Sequence, residues 1–373
     1  MPTESAPFQL KNIYSEVFLY DVARELTATW PEFPGKTFLQ RVFDEQWPNR
    51  ELKQRTRHIA ECMHATLPPE YAQAVDIIVR TVERMIARSG DQLSFIWGIF
   101  PDFVEAFGPN EPDISIPALE IITRLSSAEF AVRPFLLRYP ERMHAQMLAW
   151  AGHSSPMVRR LSSEGIRPRL PWGMGVPALK KDPTPVLPIL DQLKNDPAET
   201  VRRSVANNLN DISKEHPDLV LDIARRWKGQ SVETDWVVRH ACRGLLKKGH
   251  PEALRLFGFD AAQLLVTVEQ LTCPAQVNIG ERLHFSFMVH NKSDELTSVR
   301  LEYAIDYITS TGKISRKVFK ISEFAMAPRQ VMAFAKNQRF TDFTTRKHYP
   351  GRHKIAILVN GIEQQSALFD VTP

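Results

Sequence analysis

The chain has 373 residues, 43% of them hydrophobic and 24% charged, which suits a globular protein and excludes a disordered or collagen-like one. Its length exceeds one ordinary core, so two domains are expected. The net charge of +4 is uneven: residues 1–261 hold 33 Lys+Arg against 33 Asp+Glu, while 262–373 hold 14 against 10 and supply the whole excess.

Helical patterns fill the first 260 or so residues. In Val75–Ala87, the residues Val75, Ile78, Val79, Val82 and Met85 recur at helical spacing. A Val-Arg pair, at 132–133, 158–159, 201–202 and 238–239, is predicted to open a helix each time behind a polar capping segment. Two of the three spacings, 43 and 37 residues, lie near the period of HEAT-type helical pairs. Such pairs cannot bury their apolar faces alone, so an all-α HEAT-like solenoid is predicted. Six prolines between Pro168 and Pro188 predict an ordered loop without helix, inserted between two repeats. Beyond it, Asp196 is placed as N-cap, Pro197 at the first helical position and Glu199 in a capping box. Val201, Val205, Leu209 and Ile212 then form one apolar face.

After Gly258 the texture changes. Leu264–Glu269, Arg282–His290, Ser298–Ile308, Lys313–Ile321, Gln330–Ala335 and His353–Val359 are β-branched and aromatic runs separated by turn signals. Six or seven strands in this length predict an all-β immunoglobulin-like sandwich, with Tyr349-Pro350-Gly351 suggesting a tyrosine corner. The domains are placed at 1–260 and 261–373. Within the second, residues 313–354 carry eleven basic residues against Glu323 and Asp342 alone, a footprint suited to a polyanion.

No phosphate-binding glycine loop, HExxH or CxxC pair is present, and the three cysteines (Cys62, Cys242 and Cys273) are too scattered for a zinc or disulfide framework. No apolar run approaches the roughly 18–20 residues of a membrane span. The N-terminal MPTESAPFQLKN has neither the basic nor the apolar part of a secretory signal. A cytoplasmic monomer without metal, cofactor or membrane association is expected. The chemistry concentrates instead in SSPMVRRLSSEGIRPRLPWGMG (154–175) and VRRSVANNLNDIS (201–213), which combine paired arginines, Glu164, Asp211 and Trp172.

These two stretches resemble the AlkC branch of the AlkC/AlkD alkylpurine DNA glycosylases, HEAT-like enzymes of base excision repair that remove N3-alkylated bases. Some members of that branch carry a C-terminal Ig-like domain, as the strand-rich tail suggests here. The resemblance implies hydrolysis of the N-glycosidic bond of 3-methyladenine, with 3-methylcytosine a further substrate left open, in alkylated duplex DNA. It implies that Glu164 and Asp211 face the deoxyribose and the attacking water, with Glu129 as a third carboxylate and Trp172 packed on the lesion or its backbone. Arg159, Arg160, Arg167, Arg169, Arg202 and Arg203 become candidates for phosphate contacts. In the β domain Lys317, Arg346, Lys347 and Arg352 would clamp the DNA. The first 100 or so residues match only loosely, and no site residue is assigned there.

Each residue also has a structural reading. Asp211 could bond the neighbouring repeat, Glu164 could be an exposed helix end, Trp172 could be a packing anchor, and Glu129 could sit at a helix start. At least two of the six arginines are expected to bind carboxylates of adjacent repeats. The rival function is a non-enzymatic HEAT-repeat protein that binds damaged or bent DNA, which would tolerate neutralising the carboxylates.

Overall fold

The computed structural model of the chain describes residues 9–261, 265–342 and 347–373. Helices occupy the chain from Glu16 to Leu256 and strands from Val266 onward, so the change of texture falls where the sequence places it. The compact units divide earlier: one holds the chain up to 215 together with 227–241, the other 216–226 and 242–373. The last helical segments therefore pack with the strands. No helix among the described residues is long and apolar enough to cross a membrane.

In the first unit several helices pack on a counterpart one pair along. Helix Leu52–His64 meets Ile99–Phe107, and Tyr71–Ser89 meets Pro112–Ile122; further on, Pro156–Glu164 meets Glu199–Ile212, which meets Val232–Ala241. This stacking buries the stripe that a lone pair leaves open, as a HEAT-like solenoid requires. Helix Tyr71–Ser89 buries Val75, Ile78, Val82 and Met85 on the expected face and stops at Gly90, whose φ is 72°.

Three local expectations are corrected. Helix Glu199–Ile212 starts later than the capping reading, with Ala198 as N-cap. Asp196 is bound by Arg159 through Nε and Nη2 while its Oδ1 still accepts from the Ala198 N–H at 2.8 Å, and Glu199 pairs with Arg203 rather than closing a capping box. The Val-Arg pair at 238–239 lies at the end of helix Val232–Ala241, not at its start. The proline-rich stretch does hold helix, at Pro177–Lys181 and Leu187–Leu193. Pro177 and Pro188 stand in first turns, where a missing N–H costs nothing, so these prolines start helices. Residues 165–176, and the short link 182–183, are free of helix and strand.

Among its described residues the second unit has eight strands: β1 Val266–Thr272, β2 Gln276–Asn278, β3 Arg282–Asn291, β4 Thr297–Ile308, β5 Ile314–Met326, β6 Val331–Arg339, β7 Gly351–Val359 and β8 Ile362–Thr372. They form a three-stranded sheet, β1-β3-β6, and a five-stranded sheet, β2-β8-β7-β4-β5, antiparallel except for β2 with β8. Alternation along β3 sends Leu283, Phe285, Phe287 and Val289 into one core with Val299, Leu301, Ile305, Ile355 and Ile357. At the expected tyrosine corner it is His348 that is buried, and its backbone N–H donates to Asp342 Oδ1 at 2.8 Å. Asn360-Gly361 closes the β7–β8 hairpin with φ of 48° and 80°. A Cβ at Gly361 would come within 2.7 Å of Leu254 Cδ1, so glycine there also lets helix Pro251–Leu256 pack close.

Candidate active site

A cavity of about 900 Å³ lies within the first unit. Helical spacing places Lys53, Arg57 and Glu61 on one face of helix Leu52–His64, and Asp102 with Glu105 on helix Ile99–Phe107; all five line one side. The other side carries Ser127, Glu129 and Phe130, then Arg160 and Glu164 one turn apart on helix Pro156–Glu164, then Arg167, Trp172 and Met174 from the loop that follows.

A ladder of alternating charge runs through the second wall. Glu129 Oε2 accepts from Arg160 Nη2 at 2.8 Å and from the Ser127 hydroxyl at 2.7 Å, while Arg160 Nη1 also donates to Ser127 at 2.8 Å. Arg160 lies 3.9 Å from Glu164, whose Oε1 accepts from Arg167 Nη1 at 2.7 Å. Arg167 Nε then donates to Asp211 Oδ2 at 2.9 Å, and Lys214 closes the run at 3.1 Å from Asp211 Oδ1. Burial alone would lower Arg167, but Glu164 and Asp211 on either side raise it above its ordinary value. Each carboxylate is thus oriented by a guanidinium through one charge-assisted hydrogen bond.

The first wall behaves differently. Arg57 holds Asp102 through Nε at 2.8 Å and Nη2 at 3.2 Å, yet burial still pushes the Asp102 carboxyl up. Glu105 is pushed up by burial and by the neighbouring Asp102 charge. The Lys53 ammonium stands 5.0 Å from the centre of the Phe130 ring and donates to the Trp172 carbonyl, tying this wall to the loop opposite.

The predicted residues separate on these facts. Glu129, Glu164, Arg160, Arg167 and Trp172 are brought together on the cavity, Glu164 buried rather than exposed and Trp172 63% exposed rather than anchored in packing. Asp211 does not line the cavity. It is buried behind Arg167, whose Nε donates to its Oδ2. Arg159 binds Asp196, Arg169 binds Glu215, Arg203 binds Glu199, and Arg202 donates to the carbonyls of Asp196 and Pro197 at 2.6 and 2.9 Å. None of these four lines the cavity. In the second unit Lys317 and Lys347 are exposed, and Arg352 reaches Asp370 at 3.5 Å. Arg346 lies outside the described residues.

Lys53, Arg57, Asp102 and Glu105 were beyond sequence reasoning because the N-terminal hundred residues carry no motif. Arg133 was visible only as one of four Val-Arg pairs, yet it is fully buried beneath the loop.

Residues 126–245 match the family described as "DNA alkylation repair enzyme", and residues 267–373 match "Uncharacterised protein YhaZ, C-terminal Ig-like domain". Among solved structures, the Pseudomonas fluorescens alkylpurine DNA glycosylase AlkC, bound to DNA containing an abasic site analog, matches 98% of this chain and 100% of its own at TM-score 0.92 and 37% identity. The chain belongs to the AlkC family. YhaZ of Bacillus subtilis (strain 168) is 45% identical over 363 residues, which cover 97% of this chain and 99% of YhaZ. The AlkC-family architecture, a HEAT-like helical region followed by an Ig-like domain, therefore extends along essentially the whole chain. The repair-enzyme match includes Glu129, the Glu164–Asp211 ladder and Trp172, and it begins after the wall formed by residues 53–105.

Proposed function

We propose that this AlkC-family protein is a DNA glycosylase that hydrolyses the N-glycosidic bond of 3-methyladenine in alkylated duplex DNA. The observation that carries the reading is the meeting of Glu129 and Glu164, from separate helical pairs, at Arg160 on the wall of a cavity edged by an exposed tryptophan. A purine alkylated at N3 is already a cation in DNA. When the bond between C1′ and the base breaks, the electron pair leaves with the base, which departs neutral without a general acid. The protein's task is to stabilise the positive charge left on the sugar and to guide water to C1′. Fixed carboxylates in a partly dehydrated site suit both parts. Glu164 and Glu129 fill these roles, one of them accepting the water's proton. Asp211 holds Arg167, and Arg167 orients Glu164. Trp172 offers its π-face to the cationic base.

The duplex is also met by the Ig-like domain, through exposed cations such as Lys317 and Lys347. Release of free base from methylated duplex by the full chain, with chelator present, tests the reading. Wild-type release that Glu164→Gln abolishes while the fold is retained supports it. Salt-sensitive binding without release by either protein would make this a damage-binding protein instead.

A further inference from the structure

Between Gly165 and Val176 the chain has neither helix nor strand, and Trp172 within it holds a φ of 64°, costly for any residue but glycine. Something must hold the segment. Arg133, at the first position of helix Arg133–Arg138, is 0% exposed beneath it. Its Nη1 donates to the carbonyls of Gly165 at 2.9 Å and Arg167 at 2.8 Å, and its Nε to that of Met174 at 2.7 Å. One guanidinium thereby grips the segment where it leaves helix Pro156–Glu164 and again two residues past Trp172.

This arrangement is expensive if it only fills space. Among the described residues no carboxylate is in ion-pair contact with Arg133, Asp211 acting on it only at longer range, and its Nη2 is buried without a hydrogen bond. Burial, with repulsion from Arg167, brings it down to about 10, which still leaves it charged at neutral pH. An apolar side chain would fill the same volume without a buried unpaired charge. The fork is the property that no apolar residue, and no lysine, reproduces.

We infer that Arg133 is the positioning residue of the active-site loop: by gripping the carbonyls of Gly165, Arg167 and Met174 it sets where Trp172 and Arg167 stand on the cavity, without lining the cavity itself. The inference rests on the glycosylase reading for its kinetic consequence, but not for its structural one.

The test compares the full-length wild type with Arg133→Gln, Arg133→Lys, Trp172→Ala and the Gln/Ala double variant. Single-turnover base release at saturating methylated duplex should fall about 10²-fold in Arg133→Gln, the scale of an ångström of misplacement. Binding of undamaged duplex should stay within about threefold, because the exposed cations of the Ig-like domain are untouched. Arg133→Lys keeps the charge and loses the fork, so it should remain nearly as slow. The double variant should fall short of the product of the two single losses by at least about tenfold, because both act through one loop. Amide hydrogen exchange should accelerate in 165–174 and nowhere else. Full activity in Arg133→Lys, multiplicative losses, or faster exchange spread across all helices would each make Arg133 a core residue only and overturn the proposal. If the wild type releases no base, the glycosylase reading fails, and the exchange measurement alone decides whether Arg133 holds the loop.

Discussion

In the helical unit the ladder from Glu129 to Asp211 is shielded, its side chains between 3% and 17% exposed. In the Ig-like unit Arg300 with Glu302 is buried to the same degree, but pairs that involve the basic stretch lie in the open: Arg329 with Asp294 are 61% and 80% exposed, and Arg352 with Asp370 are 69% and 48%. At about 4 Å a charge pair interacts several times more strongly in a partly buried site than in water, and exposed pairs contribute only about 0.2–1 kcal/mol. The buried ladder can therefore fix geometry to fractions of an ångström, while the exposed pairs chiefly shape a field that salt screens. The comparison also revises the charge count. The basic stretch at 313–354 is opposed in space by Asp294, Asp306, Glu363 and Asp370, none of which lies within it. Its free cation content is smaller than its composition suggests.

The strongest way to break this comparison is Glu164→Gln, which should slow base release about 10²–10³-fold, the scale of removing one preorganised electrostatic group. A loss within threefold would show that the ladder does not act on the reaction. Gly165→Ala probes the same wall by packing: its Cβ would fall 2.6 Å from Val132 Cγ2, and overpacking of this kind costs about 1–3 kcal/mol, readable by calorimetry. An unchanged melting temperature would mean that the helix end has room to move. Asp211→Asn should slow release only about tenfold, because Arg167 keeps an uncharged acceptor at Nε. A loss equal to that of Glu164→Gln would put Asp211 in direct contact with the reacting sugar.

Effects in the Ig-like unit should be smaller and salt-dependent. Replacing Lys317 and Lys347 by alanine should flatten the dependence of log K on log salt by roughly 0.9 for each phosphate no longer neutralised. An unchanged slope removes this domain from the interface. Burial pushes Glu363 up, but Lys354 and Arg316 outweigh it and hold the carboxyl below its ordinary range. Its contribution to stability is thus present above the unfolded carboxylate pKa and lost as pH falls through the folded one. Glu363→Gln should cost about 0.2–1 kcal/mol near neutral pH. The difference from wild type should vanish at strongly acidic pH, and persistence of the gap there would show that packing, not charge, is responsible.

The repeat logic, the strand-rich tail and the cluster of Glu164, Arg167 and Trp172 were legible because each is written in local spacing or in one contiguous motif. What stayed hidden depends on distant partners. Arg133 and Arg159 both follow a valine, yet one is fully buried under a loop more than thirty residues away and the other meets Asp196. Strand β8 escaped because Gln364-Gln365-Ser366 interrupts its apolar pattern, and β2 because three residues are too few to show one. The wall built from Lys53, Arg57, Asp102 and Glu105 looks in sequence like solvated helix faces. Only stacking turns those faces toward a common space.

Strand β5 ends the five-stranded sheet and, among the described residues, pairs on one side only, with β4. An unpaired strand edge is a template for another chain, and lysines along it are a common guard against such pairing. Arg316, Lys317 and Lys320 stand on this edge strand. The cations proposed to draw the domain toward DNA would then also keep two copies from zipping together, and neutralising them to test that proposal would trade one form of association for another.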